Sequence, residues 1–295
     1  MTSLTILGDV RDGVGESPVW DSGQSCLWSV DITGRCILRR WPNGTTEAWS
    51  TDDLPTAISL REDGKGAMVS FARGVASWSV EHGTGPTIVT PEADPLMRLN
   101  EGRCDPTGQF WCTSMETNLN SDLTAREQDS ARGRLFRIEG QKVIELLGPE
   151  FVIPNTMAWS PDCQHFYLGD SGRNTIWIWD YDKCANQIKN RRIFVEGGPG
   201  VPDGSAMDSE GCLWTARFGA GRLIRYDPTG AVEREIILPV VNPTACTFGG
   251  HDLRTLYITS ARFGLSKPSS LDGATLILKT NIAGQAENFF EVCRA

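Results

Sequence analysis

The chain lacks several features that would decide its function at once. It has no run of 18 or more apolar residues, so no membrane partner and no crossing helix are expected. It has no basic excess: 28 Lys and Arg stand against 37 Asp and Glu, a net charge of −9. A nucleic-acid partner needs a basic face, so none is expected. The start, Met1-Thr2-Ser3-Leu4-Thr5-Ile6-Leu7, has neither the basic stretch nor the long apolar stretch of an export signal. The nine cysteines are odd in number and form no C-x-x-C, which argues against a zinc ribbon or a redox pair. A reduced, cytoplasmic setting accounts for them most simply. There is no G-x-S-x-G, the elbow on which a serine hydrolase carries its nucleophile. No helical period lasts longer than a turn or two.

What the chain does have is a repeat. A polar turn leads into a short buried strand six times over. The turns include Asp21-Ser22-Gly23, Asp63-Gly64, Asp105-Pro106-Thr107-Gly108 and Asp208-Ser209-Glu210-Gly211. The strand markers are Trp28, Met68, Trp111, Tyr167, Trp214 and Tyr257, spaced by 40 to 56 residues. A third and a fourth apolar run follow each marker. The fourth runs include Glu47-Ala48-Trp49, Arg192-Ile193-Phe194-Val195 and, in the last unit, Asn288-Phe289-Phe290-Glu291-Val292. Four short strands per unit is the period of a propeller blade. Residues 1–295 are therefore expected to be one all-β domain, a six-bladed β-propeller with four antiparallel strands per blade. Uneven spacing would have favoured a β-sandwich instead. Leu4–Leu7 is spare at the start, and it is expected to add the outer strand of the last blade and close the ring, since closure removes an exposed sheet edge. Residues 116–133 are a polar insertion, which in a repeat fold marks the binding face.

Counting back from each turn to the start of the innermost strand gives Glu16, Ala57, Asn100, Asn155, Asp203 and Thr244. In a closed ring these starts face one central channel, so two carboxylates and two carboxamides converge. Two buried like charges are costly unless a cation lies between them. Glu16 and Asp203 balance one divalent ion, and Asn100 and Asn155 can add neutral oxygens. An all-oxygen set suits calcium, magnesium or manganese, with zinc and iron(II) left open. His82, His165 and His251 sit at unrelated repeat positions and are not expected to be ligands. Each residue alone has an ordinary explanation: Asp203-Gly204 is a common turn pair, and Asn155 after Pro154 is a loop residue. The tryptophans, Trp159 included, read as blade core more than as ligand contacts.

Several stretches also resemble the senescence marker protein / gluconolactonase / luciferin-regenerating enzyme family. They are Gly15-Glu16-Ser17-Pro18-Val19-Trp20, Arg98-Leu99-Asn100-Glu101-Gly102, Pro154-Asn155-Thr156-Met157-Ala158-Trp159, Pro202-Asp203-Gly204 and Cys246-Thr247-Phe248-Gly249-Gly250. The likeness runs nearly the whole length. It implies a six-bladed propeller with a central divalent metal held by Glu16, Asn155 and Asp203, and hydrolysis of a sugar lactone such as glucono-, xylono- or arabinolactone. It further implies substrate contacts from Arg98 and Asn100 and, where the family carries a lid-like loop, from Glu116 and Asn118. Asp203 is the expected catalytic base. The sequence departs from the family in reading Asn100-Glu101-Gly102 for Asn-Asp-Gly and Asn155-Thr156 for Asn-Gly. A phosphotriesterase or other ester hydrolase on the same site, or a non-enzymatic calcium-binding regulator, is the competing reading. A monomer or weak homodimer is expected.

Overall fold

In the computed structural model, which describes residues 4–128 and 130–291, six four-stranded antiparallel sheets form the expected six-bladed propeller. The innermost strands of blades 1 to 6 are Gly15–Asp21, Pro55–Leu60, Met97–Cys104, Pro154–Trp159, Val201–Met207 and Asn242–Gly249. Each packs on the innermost strands of both neighbouring blades. Among the described residues there is no α-helix, only a 3-10 turn at Ser171–Arg173.

The acidic turns are structural. Asp105 accepts from the backbone N–H groups of Thr107 and Gln109 with one oxygen and from the Trp111 indole (2.7 Å) with the other. Asp208 does the same for Glu210, Cys212 and the Trp214 indole (2.8 Å). The aspartate that shapes the turn thus also fixes the marker tryptophan of the next strand. These tryptophans fill the seams between blades. Trp28 and Trp78 meet between blades 1 and 2, and Trp214 meets Phe248 between blades 5 and 6. Trp111 and Trp159 pack edge-to-face at 5.3 Å between blades 3 and 4, so Trp159 belongs to the core.

The ring closes as expected. Leu4–Ile6 pairs antiparallel with Leu276–Leu278 and supplies the outer strand of blade 6. Leu7, which follows, is 2% exposed and packs with Trp20, Leu27 and Tyr257 across the seam between blades 6 and 1. The expected strand at 288–292 does not form. With Leu4–Ile6 already on the edge of Leu276–Lys279, no edge remains for it there. Residues 284–291 instead run across the far ends of the innermost strands, and Val292, with Cys293, lies outside the described residues. Gln285 N–H donates to Met207, Asn288 to the Cys104 carbonyl and Phe290 N–H to Leu60. Glu287 meets Arg103 at 3.5 Å and accepts from Thr247 (3.0 Å), which fills the far end of the channel.

Leu7 therefore holds the closing seam. Leu7→Ala is expected to cost about 2–5 kcal/mol. In a chain of this size that is roughly 3–8 °C in Tm, read by calorimetry.

Candidate active site

The site is delivered by a bulge repeated in every blade. Each innermost strand loses register with its neighbour just at or after its first residues: between Glu16 and Val19, Leu99 and Gly102, Asn155 and Ala158, Pro202 and Ser205, and Pro243 and Cys246. A bulge bends the strand and re-aims its side chains. Glu16, Asn100, Asn155, Asp203 and Thr244 all line one cavity of about 310 Å³ at the near end of the channel. Blade 2 differs. Ser59 pairs with Met68 as Val19 pairs with Trp28, so three residues earlier stand Thr56 and Glu16. Thr56, not Ala57, is thus the equivalent position: Ala57 lies four residues back from Arg61, whereas each of the other positions lies five back from its turn. Neither residue lines the cavity. A wider groove of about 660 Å³ lies at the rim around Trp28, Arg39 and Trp78, but none of the convergent acids reaches it.

The segments ahead of Glu16 and Asn155 are held by aspartates that end the second strands. Asp31 accepts from the N–H groups of Gly13 and Val14, and Asp170 from those of Val152 and Ile153. Across the cavity runs one chain of hydrogen bonds. Arg98 donates to Asn118 (2.8 Å) and to Asn100 (2.8 Å), and Asn100 donates to the Asn155 carboxamide oxygen (2.9 Å). Asn155 in turn donates to Ser171 (2.8 Å), and Ser171 to the Pro202 carbonyl (2.6 Å). Asn118 comes from the insertion, so the insertion reaches the cavity and holds Arg98 there. Glu116 is not in the cavity lining: it meets Arg126 (3.3 Å) and Arg132 (3.8 Å), the charges nearest to it within the insertion.

The electrostatics are those of acids whose burial outweighs the pull of the one nearby cation, Arg98. Glu16 is pushed up to about 8, by burial first and then by the neighbouring Glu101 carboxylate. Asp203 is raised well above the usual carboxylate range by burial, by Glu16 and by Glu101. Burial lowers Arg98 to about 10, against the opposing pull of Glu16. The donor set therefore fits a divalent cation. Glu16 and Asp203 repel one another, and the Asn155 oxygen has a lone pair left beside its bond from Asn100. Among the described residues no group of three or more His, Cys, Asp or Glu is placed to hold a metal ion. The set here has two acids, and the rest of its donors are amides.

Sequence reasoning missed Glu101, Ser171 and the apolar liners Phe218 and Phe263. Glu101 was visible only as a departure from Asn-Asp-Gly. Ser171 follows the second strand rather than opening an innermost one, so the repeat register did not reach it. Thr156, the other departure, has φ 54°, a left-handed conformation that a β-branched residue adopts at a cost. Its hydroxyl donates to the Asp203 carbonyl, tying the strand of one candidate ligand to that of another.

The family's sequence profile, described as SMP-30/Gluconolactonase/LRE-like region, matches residues 14–262. This chain belongs to that family. It is 31% identical to the 6-deoxy-6-sulfogluconolactonase of Pseudomonas putida, over 94% of both chains. It is 34% identical to regucalcin of Gallus gallus, over 90% of both. A solved luciferin-regenerating enzyme superposes with a TM-score of 0.89 at 25% identity, covering 99% of this chain and 100% of that one.

Two outcomes follow. An acid raised in the fold adds stability that is complete below its unfolded value and is lost as pH rises through its folded one. For Glu16 that window runs from 4.5 to about 8. Chelator-treated protein is expected to lose Tm across this window relative to protein with excess divalent cation, and scans of the two at matched pH measure the gap. At residue 156 the usual order of Ala over Gly reverses. Thr156→Ala keeps the left-handed backbone and loses the hydrogen bond, so it should unfold at lower denaturant than Thr156→Gly, by roughly 1 kcal/mol.

Proposed function

We propose that the protein hydrolyses a sugar lactone to the open aldonic acid with a divalent cation held by Glu16, Asn155 and Asp203. The observation that carries this reading is the meeting of Glu16 and Asp203, both with raised pKa values, in one cavity with Asn100, Asn155 and Arg98. Family membership and the lactonase named among the relatives support it. An oxygen-only set favours a hard ion, calcium, magnesium or manganese.

When bound, the cation supplies a Lewis acid for the lactone carbonyl oxygen. The chain's own residues do the rest. Asp203 accepts a proton from the water that adds to the carbonyl carbon. The ring C–O bond then breaks, and the ring oxygen leaves as a hydroxyl after taking up a proton. Arg98, fixed by Asn100 and Asn118, donates to the oxygens of the substrate from the blade 3 side. Asn100 holds Asn155 in place through its amide, and Ser171 holds Asn155 from the other side. These bonds exist before substrate arrives, so little reorganisation is needed at the reacting atoms.

Asp203→Ala should lower kcat on an aldonolactone by about 10²–10⁴-fold with the fold retained by circular dichroism. A variant that opens lactones at the wild-type rate would remove Asp203 from the role of base. Chelation should abolish turnover, and re-addition of calcium, magnesium or manganese in separate assays should restore it and rank the ions. Glu16→Gln should weaken cation binding in a calorimetric titration.

A further inference from the structure

Strand side chains two apart share a face, so the residue two before each candidate ligand also faces the cavity. On blade 3 that residue is Arg98. On blades 1, 4 and 5 it is Val14, Ile153 and Val201. Ile32, Phe218 and Phe263 extend the same wall from blades 1, 5 and 6. The cavity therefore has two unlike sides. Blade 3 offers Arg98, Asn100 and Asn118, with Leu119 beside them, and blade 1 sets the Thr33 hydroxyl next to Val14 and Ile32, while blades 4, 5 and 6 offer hydrocarbon above the ligand level. Two hydroxyls on that second side already donate to backbone carbonyls, Ser171 to Pro202 and Thr244 to Gly15. Among the described residues Arg98 is the one cationic side chain in the lining.

A fully hydroxylated sugar lactone would press a hydroxyl against this wall without a partner, and leaving a polar group unpaired in an apolar site is costly. A methyl or short alkyl group there instead leaves water for hydrocarbon. We propose that the substrate is a neutral lactone with a non-hydroxylated end, a 6-deoxyaldonolactone or an alkyl-bearing equivalent. Its carbonyl and ring hydroxyls lie toward Glu16, Asp203 and blade 3, and its alkyl end against Ile153, Val201, Phe218 and Phe263. Those four residues set the specificity. The inference rests on the lactonase reading above and narrows it. It also separates this chain from the Pseudomonas putida relative, whose name places a sulfo group on carbon 6. An anion at that end would face an uncharged wall here.

The test compares three δ-lactones on the full-length, cation-loaded protein: D-glucono-1,5-lactone, its 6-deoxy form and its 6-deoxy-6-sulfo form. Acid release gives kcat/KM for each. The 6-deoxy lactone is expected to lead gluconolactone by about ten-fold or more, with the sulfo form last. Phe263→Asn, on a half-buried loop residue, should erase that lead mainly through KM. Val201→Thr, close to isosteric, should reduce it and guards against a folding defect in the first variant. Gluconolactone or the sulfo lactone opening as fast as the 6-deoxy lactone would overturn the inference and leave the lactonase reading standing. If none of the three is opened, the lactonase reading falls and takes the inference with it.

Discussion

Two carboxylates that repel each other sit at the centre of this molecule. Glu16 and Asp203 come from blades 1 and 5, yet Glu16 raises the proton affinity of Asp203, and Glu101 raises that of both. A fold assembled only for stability would avoid such a meeting, because buried like charges oppose folding. The surrounding structure compensates with rigidity. The bulges hold the strand starts, Asp31 and Asp170 hold the segments before them, and a chain of hydrogen bonds from Asn118 to the Pro202 carbonyl leaves the amides little freedom. The result is a fixed cup of negative potential whose natural complement is a small doubly charged cation.

Much of this was readable before any coordinates. A repeat with a polar turn and an apolar marker specifies a blade, and in blades 3 and 5 one aspartate both shapes the turn and binds the indole of the next strand. Glu16, Asn100, Asn155 and Asp203 could be brought together because a ring places equivalent strand starts in one channel. In blade 2 the count from the turn strays by one: Ala57 lies four residues back from Arg61, and strand pairing returns the equivalent position to Thr56, five back as in the other blades. Glu116 was misplaced for a different reason. Insertion loops follow no repeat, and here Arg126 and Arg132 offer that acid local partners. Phe218 and Phe263 were hidden because they end or follow second strands, where an aromatic residue reads as blade core.

The two ends of the chain complete the structure in different ways. The first strand seals the circumference, and residues 284–291 close off the bottom of the channel through Gln285, Asn288 and Phe290. The run expected to be a last strand became this floor because the first strand had taken its edge. At the other end of the channel Asn118 and Leu119 of the insertion border the cavity.

Leu4–Ile6 pairs with Leu276–Leu278, so this segment is synthesised well before the strand that it pairs with. Until then blade 6 does not exist, and the seam around Leu7 and Trp20 stays open to water. Blades 1 to 5 emerge as an arc with both edges bare. The acids of blades 1 and 5 stand on either side of a gap that blade 6 fills. The meeting of Glu16 and Asp203 thus waits on the closing of the ring, and an arc without its closing seam leaves the two acids unassembled.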